Sequence, residues 1–308
     1  MCKKLFFGMF AASVMMFATS CSNDEALENG GKLMDVSFSL STEGVNASRA
    51  ISDGTGADYL KYAVFKADGT QLTELTTVER GLTDLKTGHV VNMRLAKGQS
   101  YTIVFWAQDE DCRAYTVSDD MKLSINYNGV NNDETRDAFF KAQTITIGTE
   151  NNNYTVKLTR PFAQVNVGAN DTEDARKAGI VISKSSMTFT DVASKLNLLT
   201  GEPSDAVNVT YTIGDVPNET LTAGGAQYTW LSMCYLLPNS KSSSVLGKAT
   251  FDFKPQSGQN IALEGGLDHT PIQRNYRTNI LGSVLTDQVS LTVVVDSDFD
   301  EPDYKVNL

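Results

Sequence analysis

The chain has 308 residues, 41% of them hydrophobic and 20% charged, enough to bury more than one sizeable core. Its formal net charge is -11 and no basic residues cluster, which excludes a nucleic-acid footprint without naming any other partner. Two histidines and four scattered cysteines are too few and too far apart in sequence for a structural zinc site.

Lys3 and Lys4 precede a short apolar run, Leu5 to Phe17, which is too short to span a bilayer and reads as a targeting segment. Small residues follow, Ala18-Thr19-Ser20-Cys21, and then the acidic pair Asp24-Glu25. The first of these is similar to a bacterial lipobox, in which the cysteine is acylated after residues 1–20 are removed. The second resembles the export signal that carries Bacteroidales lipoproteins to the outer face of the outer membrane. Cys2 leaves with the signal and Cys21 takes the lipid, so Cys112 and Cys234 remain, expected as small buried hydrophobes.

After a polar tether over 22–33, residues 34–41 alternate without error. Met34, Val36, Phe38 and Leu40 fall on one side, and Asp35, Ser37, Ser39 and Ser41 on the other. Period two predicts a strand with one buried face. The polar loop after it ends in Arg49, followed by Ala50, so this strand is tethered to the rest of the chain by a segment a protease could cut.

Further strands are predicted at 59–65, 89–95, 101–107, 144–147 and 154–160, with a hairpin turn at Asp68-Gly69. Residues 101–107 are apolar on both faces, which marks a central strand. Asn132-Asp133-Glu134 predicts the start of a short helix over 133–142 carrying Phe139 and Phe140. Pro161 marks a domain boundary, since proline disfavours continuation of a central strand. Beyond it come a strand at 162–167, one or two helical turns over 172–177 stopped by Gly179, and strands at 180–190, 207–213, 228–237, 248–254, 277–284 and 288–296. Many short strands with frequent turns predict a mainly β chain of sandwich type.

The lipobox at Cys21, the alternating strand, Asn46-Ala47-Ser48-Arg49-Ala50, the junction YTVKLTRPFAQVNV over 154–167 and RNYRTNI over 274–280 together resemble the fimbrillins, or type V pilins, of Bacteroidales. The resemblance implies two transthyretin-like β-sandwich domains, here 50–160 (completed by 34–41) and 161–308, behind a lipidated pro-segment at 21–49. It implies a surface lipoprotein of the outer membrane that is cut after Arg49 by an Arg-specific protease, exposing Ala50. The cut would release the strand bearing Met34, Val36, Phe38 and Leu40, and a C-terminal strand of another subunit would fill the groove, giving a fimbrial homopolymer that supports adhesion. Two C-terminal segments alternate suitably as donors. One carries Val289, Leu291, Val293 and Val295; the other carries Tyr304, Val306 and Leu308. The first also reads as the last strand of its own domain, which would leave the second as donor.

Other readings stay open. Strand 34–41 could be a permanent edge strand of a non-polymerising anchor or accessory subunit. A glycan-binding module would need an exposed aromatic platform, whereas Trp106 and Trp230 lie in apolar runs that predict burial. No cofactor or metal is expected. Asp296-x-Asp298-x-Asp300 has Glu301 and Asn307 where a calcium loop of the EF-hand kind needs Gly and Glu. No nucleophile or phosphate-binding motif accompanies His89 or His269, so catalysis is not expected.

Overall fold

The computed structural model describes residues 31–42, 56–83, 85–217, 219–286 and 289–297, and the backbone of 301–307. In chain order the strands are β1 (Leu33–Thr42), β2 (Tyr59–Lys66), β3 (Gln71–Glu79), β4 (His89–Ala96), β5 (Ser100–Gln108), β6 (Tyr115–Val117), β7 (Lys122–Ile125), β8 (Gly129–Val130), β9 (Ala138–Thr146), β10 (Asn153–Leu158) and β11 (Ala163–Ala169). The helix α1 (Thr172–Lys177) follows, and then β12 (Ile182–Asn197), β13 (Pro203–Asp215), β14 (Thr220–Ala223), β15 (Ala226–Leu236), β16 (Ser243–Val245), β17 (Ala249–Pro255), β18 (Ile261–Glu264), β19 (Pro271–Gln273), β20 (Tyr276–Ser283), β21 (Ser290–Ser297) and β22 (Glu301–Asn307).

The fold is mainly β and of sandwich type. A three-stranded sheet, β10-β1-β4, lies against a four-stranded sheet, β3-β2-β5-β9. The two meet where Phe38 of β1 packs edge-on against Phe105 of β5, ring centroids 5.5 Å apart. A six-stranded sheet, β14-β15-β11-β20-β21-β22, faces a seven-stranded one built on β18-β17-β12-β13-β8. The Tyr211 hydroxyl donates to the Tyr235 carbonyl across that gap, 2.8 Å, and the Ser185 hydroxyl to the Leu231 carbonyl, 2.7 Å.

Strand β5 explains the continuous apolar run at 101–107. It pairs with β2 on one edge and β9 on the other. Its Phe105 enters the first core, while the next residue, Trp106, points the opposite way and packs on Tyr115 and Phe162. Residues Ile103 to Ala107 are therefore all buried.

Two features differ from expectation. The helix predicted over 133–142 is a single 3-10 turn, Glu134–Arg136, after which β9 runs beside β5 from Ala138 to Thr146. Asp133 does cap the turn, accepting from the Thr135 N–H at 3.1 Å, but cross-strand pairing outweighs a cap placed before only one turn. Residues 115–130 leave the first sandwich. β7 pairs with β12, and β8 runs parallel to β13, so the first half of the sequence contributes strands to the second sandwich. The helix over 172–177 and the Asp68-Gly69 turn are where the sequence places them, with Gly69 at φ 85° and the Asp68 carboxylate accepting from the Thr70 N–H.

Candidate functional site

The site of interest is the slot that β1 fills. β1 is not an edge strand. It runs parallel to β10, with Ser37 opposite Asn153 through Thr42 opposite Leu158, and antiparallel to β4, with Leu33 opposite Ala96 through Leu40 opposite His89. Sequence-distant partners therefore hold it on both sides.

Alternation decides what faces inward. Val36, Phe38 and Leu40 are 2%, 0% and 0% exposed, whereas Met34, near the open end, is only half-buried. Phe38 also stacks on Tyr154 of β10, centroids 5.5 Å apart. Three fully buried side chains at about 1.5–3 kcal/mol each amount to roughly 5–9 kcal/mol. That is comparable with the total stability of an ordinary domain.

The outer face of this sheet is polar. Asp35 and Arg94 lie 3.8 Å apart in solvent, beside a shallow cleft of about 500 Å³ bordered by Ser37, Asn92 and Asn153. β1 supplies one wall of this cleft through Asp35, Val36 and Ser37. At the other end, where Leu40 meets β4, His89 Nε2 lies 2.8 Å from Glu79 Oε2. The Tyr62 phenol nearby hydrogen-bonds to Thr77 and Glu79, and burial raises its pKa above the usual tyrosine range.

The two candidate donor segments sit differently. Residues 290–297 form β21, paired along their length with β20, and Val293, Val294 and Val295 are all buried; Leu291 is half-buried and Val289 is 58% exposed. The apolar Val294 that breaks the alternation lies in a sheet covered on both faces. Among the described residues β22 instead pairs with β21 alone and forms the margin of the sheet, Tyr304 opposite Val295 and Val306 opposite Val293. Cys21, Arg49, Ala50 and Leu308 lie outside the described residues.

Trp106 and Trp230 are 0% and 4% exposed, their indole N–H groups donating to Gln108 and to the Ser232 carbonyl. They offer no sugar platform. Cys112 and Cys234 are free and buried, and burial raises both thiol pKa values. Asp296, the first residue of the candidate calcium loop, accepts instead from the buried Asn279 amide. Among the described residues no group of three or more metal-ligating side chains occurs.

Sequence reasoning missed several polar anchors. Arg160 and Asp137 form a buried pair near the junction of the two sandwiches. The Asp171 carboxylate accepts the N–H groups of Val284, Leu285 and Thr286, plus the Thr286 hydroxyl, which fixes the turn leading from β20 toward β21. A polar row crosses β15, β11 and β20: Gln164 donates to the Tyr235 hydroxyl, and Asn166 to both Gln164 and Asn279. The polar letters in FAQVNV carried a trace of this row, since on a strand with one wet face they would be exposed, and here they are 0% exposed.

These features define a mainly β protein of sandwich type whose first sandwich is completed by an N-terminal strand held between two sequence-distant neighbours. The chain belongs to a family of unknown function (DUF6562), matched over residues 28–307. It is similar to a candidate cell adhesion protein from Bacteroides ovatus at 11% identity and a TM-score of 0.50, covering 86% of this chain and 98% of that one. It also aligns with the C-terminally truncated tip fimbrial protein Mfa3 from Porphyromonas gingivalis, at 12% identity, TM-score 0.49, and 86% and 100% coverage. A fimbrial assembly protein from Parabacteroides distasonis aligns at 12% identity, TM-score 0.47, and 90% and 100% coverage. No curated protein matches the chain. At these identities the Bacteroides ovatus likeness is one of fold.

Proposed function

We propose that this protein is a structural subunit of a cell-surface fimbria, exported as an outer-membrane lipoprotein through Cys21 and assembled by strand exchange once a protease cuts after Arg49. The observation that carries the proposal is the position of β1. It is central in its sheet, it supplies Val36, Phe38 and Leu40 to the core, and the segment of chain that joins it to β2 carries Arg49. Once that link is cut, β1 is held only by non-covalent contacts and can be replaced by a strand of similar alternation. Donor and acceptor are different surfaces, so the contact is heterologous and can propagate. The donor is the tail bearing Tyr304, Val306 and Leu308, because β21 is built into its own sheet on β20 while β22 has one neighbour among the described residues. The two sandwiches meet near Pro161, and the assembled fibre serves adhesion, in keeping with the cell-adhesion description of the Bacteroides ovatus relative in fold.

The test is digestion of the purified chain with an Arg-specific protease, sequencing of the new N-terminus, and electron microscopy of the product. Ala50 at the new terminus together with filaments supports the proposal. A cut only elsewhere, for instance at Arg113 with its 84% exposed side chain, or a cut chain that stays monomeric, overturns it.

A further inference from the structure

The segment that joins the two sandwiches is pinned along its length. Thr159 exchanges both backbone hydrogen bonds with Phe140 of β9, at 2.9 and 3.1 Å. The Arg160 N–H donates to the side-chain carbonyl of Asn275, 3.0 Å, and the Asn275 N–H donates to the Phe162 carbonyl, 2.9 Å. Pro161 between them has no N–H to place. Asn275 thus grips the linker on both sides of the proline. It does so from a left-handed backbone, φ 62°, which asparagine tolerates better than most residues. The linker side chains are fixed as well. Asp137 holds Arg160, while Phe162, 1% exposed, packs on Trp106 of β5 and stacks on Tyr115 of β6 at 5.2 Å.

A second tie lies away from the linker. β6 and β7 form a hairpin that joins the sheet of the second sandwich through β12. Its turn is held from the first sandwich. Lys61 Nζ, on β2, donates to the Val117 carbonyl at 2.9 Å and to the Asp119 carboxylate at 2.8 Å. The Gln71 amide, on β3, donates to the Asp119 carbonyl at 2.7 Å. The Lys61 side chain is only 7% exposed, so its ammonium is committed to this turn. Between the ties, Ala63 and Phe65 of β2 and Val104 and Trp106 of β5 share one contiguous apolar core with Val165 of β11 and Phe189 of β12. Domains joined by a linker ordinarily shift against one another unless their interface is large and apolar.

We propose that these ties weld the two sandwiches into one rigid body, which holds the β1 slot at a fixed angle to the sheet that carries the C-terminal strands. The connection is short. β10 forms one wall of the slot and continues through 159–162 into β11. Asn275 immediately precedes β20, which pairs with β11 on one side and seats β21 on the other. A displacement of β10 therefore reaches β11 and β20 together instead of being absorbed at Pro161. In an assembly, bending is confined to the joints between subunits. The weld belongs to the single chain and stands whether or not β1 is exchanged.

The experiment is a spin-label distance measurement on the full-length chain with Cys2→Ser and Cys21→Ser, the remaining thiols being buried. One pair of labels spans the sandwiches, at Glu74→Cys on β3 and Thr188→Cys on β12, both exposed. A control pair lies within the second sandwich, at Thr188→Cys and the exposed Thr222→Cys on β14. The spanning pair is expected to give one narrow distance distribution. Asn275→Gly keeps the left-handed backbone and removes the side-chain acceptor, and Lys61→Met removes the ammonium. Together they should more than double the width for the spanning pair and leave the control pair unchanged. Asn275→Gly alone should give part of that broadening. A broad or two-peaked distribution with the junction intact overturns the proposal. So does a spanning pair that stays narrow in the double variant, or a control pair that broadens equally, which would locate the motion inside a sandwich. Circular dichroism of each variant confirms that the fold is kept.

Discussion

The ring of Phe38 meets the ring of Phe105 edge-on, with centroids 5.5 Å apart, and this contact joins the N-terminal strand to the opposite layer of the first sandwich. Phe38→Ala removes it, leaves a cavity and strips Tyr154 of its stacking partner. A loss of about 3–5 kcal/mol is expected in denaturant unfolding. Ser39→Ala, on the exposed side of the same strand, should change stability by less than about 0.5 kcal/mol. Equal effects from the two would contradict the inward placement of Phe38.

Arg160 holds Asp137 with two hydrogen bonds, 2.6 Å from Nε and 2.8 Å from Nη2, while its guanidinium lies 4.5 Å from the centre of the Phe139 ring. Arg160 is 2% exposed. Asp137→Ala should cost about 3–5 kcal/mol, because it leaves a buried cation without its carboxylate. The double variant Asp137→Ala/Arg160→Met should be less damaging than that single change, as read from thermal or denaturant midpoints.

Asp171 is the second polar anchor. Asp171→Ala removes the acceptor of three backbone N–H groups and one hydroxyl, and a loss of about 1–3 kcal/mol is expected from the unsatisfied donors. Hydrogen exchange should quicken first at Val284 to Thr286, ahead of the amides of β20.

Alkaline pH offers a test with a fixed sign. Burial raises the phenol pKa values of Tyr115, Tyr127 and Tyr211 and the thiol pKa values of Cys112 and Cys234. These groups ionise more easily in the unfolded chain than in the folded one, so their contribution is complete below the unfolded pKa values. It is lost as pH rises from about 8.5 for the thiols and about 10 for the phenols toward the folded values. Stability should be insensitive to these groups at neutral pH, and phenolate absorbance from the three tyrosines should appear together with unfolding. Ionisation of all three well before unfolding would contradict their burial.

Much of this architecture is legible in the sequence where one face of an element is wet. Residues 34–41 alternate because Asp35 and Ser39 meet water while Val36, Phe38 and Leu40 do not, and the helix over 172–177 has an acidic first turn, a basic last turn and Gly179 behind it. Legibility fails where both faces are covered. Gln164 and Asn166 look like the wet side of a strand but sit in a buried amide row. Phe139 and Phe140 fit a helix equally well until β5 is known to lie beside them. The crossing of residues 115–130 into the second sandwich has no local signal, since β6, β7 and β8 are two to four residues long, β7 and β8 being held by β12 and β13 and β6 by β7.

The mixed pairing of β1 has one further consequence. Its neighbours run in opposite senses, β10 with it and β4 against it. The two hydrogen-bonding rows that β1 fills are thus different in kind, one evenly slanted and one perpendicular. A strand that enters backwards would offer each row the wrong pattern. If subunits join through this slot, every one must be added facing the same way, and the resulting fibre has a distinguishable front and back, with an open slot at one tip and an unspent tail at the other.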